Sequence, residues 1–491
     1  MRSVGDCIPL PGLHPAAYAA LPERFHARLD PVPVANPRLI KYNEALADEL
    51  GLGADALTPE AQARLFSGNA APCGVRPIAA AYAGHQFGVF VPQLGDGRAI
   101  LLGDAVARNG RSYDVQLKGS GRTPYSRGGD GRAAVGPVLR EFLVSEAMHA
   151  LGIPSTRTLA AVTTGESVYR EVPLPGAVLT RVAASHVRVG TFQYFAARGD
   201  LEALRTLADY AIARHHPGLQ SAERPHLELL RAVMLAQAEL IARWMQVGFI
   251  HGVMNTDNMA VSGETIDFGP CAFMDEFDPA KVFSSIDSRG RYAYGNQPHV
   301  AAWNLTRFAE TLLPLIDADT DRAVALASEV LGEFGPGYSR RLLDGMRAKI
   351  GLVASREDGD GGLIETLLDV MHKGEADFTV TFRRLCEADM SGLLATPGFD
   401  AWSERWQSRL ARDPTPPEER AARMRAVNPV YIPRNHRIEQ AIVAAVENGD
   451  FGPFEELAAV LSRPFEARRE FEAYAEPPRA EQRVTKTFCG T

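Results

Sequence analysis

Residues 251–269 read HGVMNTDNMAVSGETIDFG, and the reading of this stretch decides the fold. Two polar turns, Asp257-Asn258 and Asp267-Phe268-Gly269, are separated by a short extended run that carries a Ser-Gly-Glu turn, so a hairpin joining the two turns is expected. Asn258 and Asp267 offer amide and carboxylate oxygens, the ligands a hard cation such as magnesium prefers.

Kinase-like phosphotransferases use this arrangement, with an Asn of the catalytic loop and the Asp of a D-F-G holding magnesium on the nucleotide phosphates. Their small-molecule members read H-G-D-x-x-x-x-N, and the Asp of that run accepts the proton of the attacking hydroxyl. Laid on His251, the pattern puts Asn258 where the Asn belongs and Val253 where the Asp belongs. The usual base is missing and the metal ligands remain. Asp257 is the nearest carboxylate that could replace it. Nucleotide and metal binding are therefore expected, and ordinary γ-phosphoryl transfer is not.

Upstream, residues 75–161 have the texture of strands and glycine turns. GVFVPQLGDGRAILLGDAV places Gly95-Asp96-Gly97-Arg98 before an apolar run, which predicts a hairpin at that turn. A lone G-x-G is weak, but YDVQLK follows at 113–118, alternating like a strand and ending in Lys118, the position of the kinase lysine that contacts phosphates. Next comes GSGRTPYSRGGDGRAAVGP, with Arg122, Arg127 and Arg132 among glycines: either a flexible loop or one that grips anionic oxygens with backbone N–H groups and guanidinium forks. A helix over 138–151 carries Glu141, 23 residues after Lys118 and suited to pair with it; Glu146 competes by spacing alone. The run TLAAVTTGESVYREVPLPGAVLTR at 158–181 is strand-rich. Arg181 and Arg188 beyond it are either a surface pair or a bidentate clamp on a polyphosphate.

Downstream of 191 the chain turns helical, with apolar residues at i, i+3, i+4 and i+7 over 201–215 and 225–247. Helices continue over 303–313, 320–331 and 336–350, and EDGDGG at 357–362 reads as an exposed linker. The first 75 residues mix prolines with one helix over 43–50 and form an extension. At 491 residues two lobes are expected. Sixty acidic against 52 basic residues, a net charge of -8, weigh against nucleic acid as a partner. Five scattered cysteines without a C-x-x-C pair suggest neither a zinc site nor a disulfide framework. The start lacks a signal-peptide pattern, and no apolar run reaches the roughly 20 residues that span a membrane, so a cytoplasmic protein without membrane partners is expected.

Together, AYAGHQFG, LGDGRAILLGD, VQLKGSGRTPYSRGGDGRA, HGVMNTDNM, IDFGPCAFMD and a cysteine third from the C-terminus resemble the selenoprotein O family, known as YdiU in bacteria, over nearly the whole chain. The resemblance implies an α+β, protein-kinase-like two-lobed fold: an extension over 1–75, a nucleotide-binding lobe over 76–182, a helical lobe with the catalytic and metal loops over 183–440, and a helical segment and tail over 441–491. It implies protein adenylylation, with ATP bound inverted so that AMP passes to Ser, Thr or Tyr hydroxyls of proteins and pyrophosphate leaves. Gly95, Gly97, Arg98, Lys118, Asp130, Gly131, Arg181, Arg188 and Asp267 would contact ATP. Asn258 and Asp267 would bind magnesium, Asp257 would accept the proton, and Glu141 would hold Lys118. A redox link through the tail is implied as well, and Cys271 is the expected partner of Cys489. The alternatives are UMP transfer from UTP with manganese, a conventional kinase, and a nucleotide-binding pseudokinase scaffold.

Overall fold

A long helix places the decisive loop. In the computed structural model, which describes residues 7–53 and 57–488, helix Pro225–Val247 starts with proline at its first turn and ends at Gly248, whose φ of 72° closes the helix in the left-handed conformation. Its apolar stripe, including Leu230, Met234, Ala238 and Ile241, is buried. The chain leaves this cap directly into the two-residue strand Phe249–Ile250, paired with Ala272–Phe273, and so into His251.

The remaining architecture is mixed α/β. Strands β1 (His26–Arg28), β2 (Arg38–Tyr42), β3 (Ile78–Ala80), β4 (Gly84–Gln86), β5 (Val89–Val91), β6 (Ala99–Val106), β7 (Ser112–Lys118), β8 (Arg157–Tyr169) and β9 (Pro173–Ala183) precede most of the helices. Seven of them form one antiparallel path, β1-β3-β6-β7-β9-β8-β2. The N-terminal stretch supplies both ends of that path. Because side chains alternate along a strand, Val115 and Leu117 of β7 join one core cluster while Gln116 and Lys118 face the other side. Helix α1 (Val135–Ala150) crosses the sheet; almost all of it is buried because helices Asn435–Asn448 and Gly452–Leu461 cover its outer side, with Phe454 edge-on to Phe142 at 5.4 Å. Helices α2 (Val189–Ala196), α3 (Leu201–His215), α4 (Pro225–Val247) and α5 (Gln297–Ile316) form the other half, and one continuous core runs from the sheet into them.

Several expectations need correcting. The turn at 95–98 does not join two paired strands: β5 pairs with β4, leaving β6 to pair with β3 and β7. The run between Asn258 and Asp267 is not a hairpin either, since Ala260 bridges Arg188 and Thr265 bridges Ser155. Residues 357–362 are not a free linker. Asp360 begins helix Asp360–Lys373, is 1% exposed, and accepts from Arg347 Nε at 2.7 Å and Arg409 Nε at 2.8 Å. A disulfide joins Cys7 to Cys73, which scattered spacing did not suggest; the parallel pairing of Cys7–Ile8 with Ala71–Pro72 brings them together. No described helix is long and apolar enough to cross a membrane. The tail lies along the segment after Asp267: Thr487 N–H donates to Phe283 O at 2.8 Å, Ser285 N–H to Thr487 O at 3.0 Å, and Thr487 Oγ1 to Pro270 O at 2.5 Å.

Candidate active site

A cleft of about 780 Å³ opens between the sheet and the helices. Five segments of the chain meet at its closed end. Lys118, at the end of β7, places Nζ 2.6 Å from Glu141 of α1 and 2.8 Å from Asp267 Oδ1. Arg181, on β9 opposite Gln116, donates Nε to Gln116 Oε1 at 2.8 Å and Nη1 to Asp267 Oδ1 at 2.6 Å. Arg188 donates Nη1 to Asp267 Oδ2 at 2.9 Å and to the Asp257 carbonyl at 2.8 Å, and its guanidinium lies 4.6 Å from the Tyr82 ring centroid. Burial opposes ionisation of Asp267, but Arg181, Lys118 and Arg188 hold its carboxyl well below the usual carboxylate range. Asp267 has φ of 63°, the left-handed region a non-glycine residue seldom adopts, and so points back at the cations. Glu146, the competitor for Lys118, instead pairs with Arg157 at 2.8 Å.

The loop between β7 and α1 roofs the mouth. Gly95 has φ of 113°, and a Cβ there would meet the Tyr125 ring at 2.5 Å, so Tyr125 locks the turn against this loop. Thr123 Oγ1 donates to Asp96 O at 2.7 Å, and Ser126 Oγ donates to Gly97 O. Asp130 is held by Arg170 at 2.9 and 3.3 Å and by the Arg132 N–H at 2.9 Å. Gly131, also in the left-handed region, lines the cleft with Asp130. Arg98 and Arg127 line it too, and among the described residues neither side chain has a hydrogen bond or ion pair.

On the opposite wall Asp257 sits in the short 3-10 turn Thr256–Asn258 and is 7% exposed. Oδ2 accepts from Gln86 Nε2 at 3.3 Å, whereas Oδ1 is buried with no partner. Burial pushes its carboxyl up to about 6, against the pull of Arg188. Val253, where a kinase base would stand, lines the cleft with no group to take a proton. Asn258 donates Nδ2 to Val253 O at 2.9 Å, which leaves its Oδ1 for the cleft.

Asn258 and Asp267 carry oxygens of the kind a divalent cation takes. Asn258 Oδ1 has no partner and Asp267 Oδ2 has one, so each retains acceptor capacity, and both are hard oxygens. No group of three or more His, Cys, Asp or Glu able to hold a metal occurs among the described residues.

Sequence reasoning passed over residues that fix the 255–257 turn. Strand β4 lies on the 255–257 turn: His85 N–H donates to Thr256 Oγ1 at 2.7 Å, Phe87 N–H to Asn255 Oδ1 at 3.0 Å, and Gln86 reaches Asp257. Gly84 is required there, because a Cβ would come within 2.6 Å of Asp257 Oδ1. The available signal was the AYAGHQFG motif, which carried the resemblance but had no role. Cys271 is fully buried with a free thiol pushed by burial up to about 12, and Cys489 lies outside the described residues.

Fold and site together describe a mixed α/β protein whose cleft gathers lysine and arginine side chains around a buried aspartate. The family model of protein adenylyltransferase SelO matches residues 12–462, and the chain belongs to that family. It is 60% identical over 484 residues to protein nucleotidyltransferase YdiU of Rhizobium meliloti, covering 97% of this chain and 98% of that one. It is also 62% identical over 486 residues to the Rhizobium johnstonii protein of the same name, covering 97% and 96%. The Bradyrhizobium sp. ORS 278 protein of that name is 61% identical over 484 residues, covering 97% and 98%. Membership places the chain among the nucleotidyltransferases.

Proposed function

We propose that the protein transfers AMP from ATP to a Ser, Thr or Tyr hydroxyl of a protein and releases pyrophosphate. The observation that carries this is the gathering of Lys118, Arg181 and Arg188 at the closed end of the cleft with donors in reserve. Among the described residues Arg181 Nη2 and Arg188 Nη2 make no hydrogen bond, and a guanidinium fork suits phosphate oxygens. A triphosphate enters with its terminal phosphates innermost, and the α-phosphorus then lies toward the catalytic wall. Gly95, Gly97, Arg98, Asp130 and Gly131 hold the outer part of the nucleotide.

With Val253 unable to act as a base, Asp257, which lines the cleft, takes the proton of the acceptor hydroxyl. The hydroxyl oxygen bonds to the α-phosphorus, the bond from that phosphorus to the bridging oxygen breaks, and pyrophosphate leaves with the electron pair. Lys118 and the arginines meet the charge that develops, and Glu141 keeps Lys118 in place. Asn258 and Asp267 would hold magnesium, or manganese in its stead, which supplies charge neutralisation at the phosphate oxygens when bound.

On this reading the fold is a two-lobed kinase-like one, with residues 76–182 as the nucleotide lobe and 183–440 as the catalytic lobe, flanked by the 1–75 extension and the 441–491 tail. The reaction is placed in the cytoplasm, where the Cys7–Cys73 disulfide would form only under oxidation. A redox link through Cys271 and Cys489 is part of the proposal. Thr487 bonds to Pro270, the residue before Cys271, so the tail runs close by, although the buried thiol makes pairing slow until the segment opens. Peptide mapping without reductant after oxidation is expected to recover the two cysteines linked; both free would remove the redox link.

Asp257→Asn and Asp267→Ala test the enzyme reading against a scaffold. Asp257→Asn should bind ATP and transfer about a thousandfold less label, and Asp267→Ala should weaken ATP binding as well. A biological effect that survives Asp257→Asn would favour the scaffold. Competition of unlabelled UTP against labelled ATP, in magnesium and in manganese, separates AMP from UMP transfer.

A further inference from the structure

If the triphosphate occupies the closed end, as proposed above, the base must lie at the mouth. In the segment behind the closed end Ala184 N–H donates to Glu264 at 2.9 Å and His186 N–H to Asp114 at 2.9 Å, and residues 183–187 do not line the cleft where a base could reach them. At the mouth a base needs a flat apolar surface. Four aromatic rings line the cleft, and three are already covered. Tyr82 lies under Arg188, Phe87 is 5.0 Å from the Tyr292 ring, and Tyr125 packs on Gly95. The fourth, Tyr169, ends β8 at the tip of its hairpin with β9, is 74% exposed, and has no ring or cation partner among the described residues.

Its position is fixed although its ring is bare. The adjacent Arg170 donates to both oxygens of Asp130, at 2.9 and 3.3 Å, and to the Arg132 carbonyl at 3.0 Å, which latches the hairpin tip to the glycine loop. A large aromatic surface left in water, latched over a phosphate-binding cleft, is the arrangement a stacking ligand would complete. Across the mouth the 60%-exposed Ile286 offers a second apolar surface.

We propose that Tyr169, held by the Arg170 to Asp130 latch, is the stacking platform for the nucleobase and makes the site prefer purine over pyrimidine nucleoside triphosphates. A purine overlaps the phenol ring more fully than a pyrimidine does. Asp130 then serves the nucleotide by anchoring the platform in addition to facing the cleft.

Binding is measured calorimetrically on the full chain with magnesium, using ATP, UTP and inorganic triphosphate as three separate ligands. Tyr169→Ala should weaken ATP about tenfold, in the range of one base stacked on one aromatic side chain. It should leave inorganic triphosphate unchanged and bring ATP and UTP to equal affinity, while Tyr169→Trp keeps the preference for ATP. Equal loss of ATP and triphosphate, or unchanged ATP binding, overturns the proposal. The readout is binding alone, so failure of AMP transfer, seen as no protein-bound α-label, leaves the platform to be decided by these affinities. A separate failure, triphosphate that does not compete with ATP in the parent chain, would remove the inward-phosphate orientation and the platform with it.

Discussion

Two buried charge clusters lie on either side of the sheet's exit into the helices, and they use their arginines differently. Behind the cleft, Arg214 of α3 donates Nη1 to Asp104 at 2.6 Å, Nη2 to Asp114 at 2.9 Å and Nε to the Ala184 carbonyl at 3.0 Å. Each nitrogen of its fork is engaged, and Asp114 is further bound by the N–H and ring of His186. In the cleft, Arg181, Arg188 and Lys118 converge on Asp267 and keep donors in reserve. The rear cluster holds strands β6 and β7 to α3. The cleft cluster faces open volume and has an aspartate in a left-handed conformation. Identical residue types thus tie strands to a helix in one cluster and line open volume in the other.

The largest expected effect breaks the comparison on the cleft side. Asp257→Asn should cut label transfer about a thousandfold, within the range of lost general-base catalysis, with the thermal midpoint unchanged within about a degree or two. Arg214→Leu should do the reverse. Leaving Asp104 and Asp114 buried without their cation costs about 3 kcal/mol or more, seen as a lowered denaturant midpoint, and any loss of transfer should follow the loss of folded protein. Gln86→Leu gives a smaller effect. By releasing Asp257 Oδ2 it should lower kcat about tenfold with the KM for ATP unchanged, and Gln86→Asn should recover part of that rate if positioning is the cause.

The smallest effect sharpens the contrast with a third kind of buried cation. Lys349 is buried with no carboxylate partner, its amine 4.4 Å from the Phe382 ring centroid, and burial pulls it from 10.5 down to about 7. Between those values the folded chain holds it neutral and the unfolded chain holds it charged, so unfolding takes up a proton. Its contribution to stability is therefore present above pH 10.5 and is lost as pH falls toward 7. Lys349→Met should stabilise the chain relative to the parent at about pH 7, and the difference should shrink toward about pH 10. A constant difference between the two chains across that window would show that Lys349 stays charged when folded.

Local signals in the sequence were read well. The spans 201–215 and 225–247 coincide with helices because Asp200 caps the first through the Ala203 N–H and because proline and Gly248 bracket the second. Lys118 and Glu141 meet as their spacing suggested, since a strand end followed by a crossing helix leaves few partners for either. Partnerships over long separations were not legible. Strand β4 rests on Thr256 across 171 residues, Ala260 bridges Arg188 rather than its hairpin neighbour, and Cys7 finds Cys73 through a two-residue parallel pairing. Asp360 looked like linker because its run is polar and glycine-rich; two distant arginines turn it into a buried anchor. Periodicity reports which face of an element is buried, not what covers it.

The central claim is that the cleft holds the terminal phosphates inward and exposes the α-phosphorus to the acceptor. The most direct measurement incubates the purified chain, magnesium and a protein acceptor with ATP labelled at either the α- or the γ-phosphate, and follows protein-bound label. The account predicts label retained from the α position alone, with pyrophosphate released. Label retained from the γ position alone would contradict it, making the protein a kinase that manages without a base at Val253.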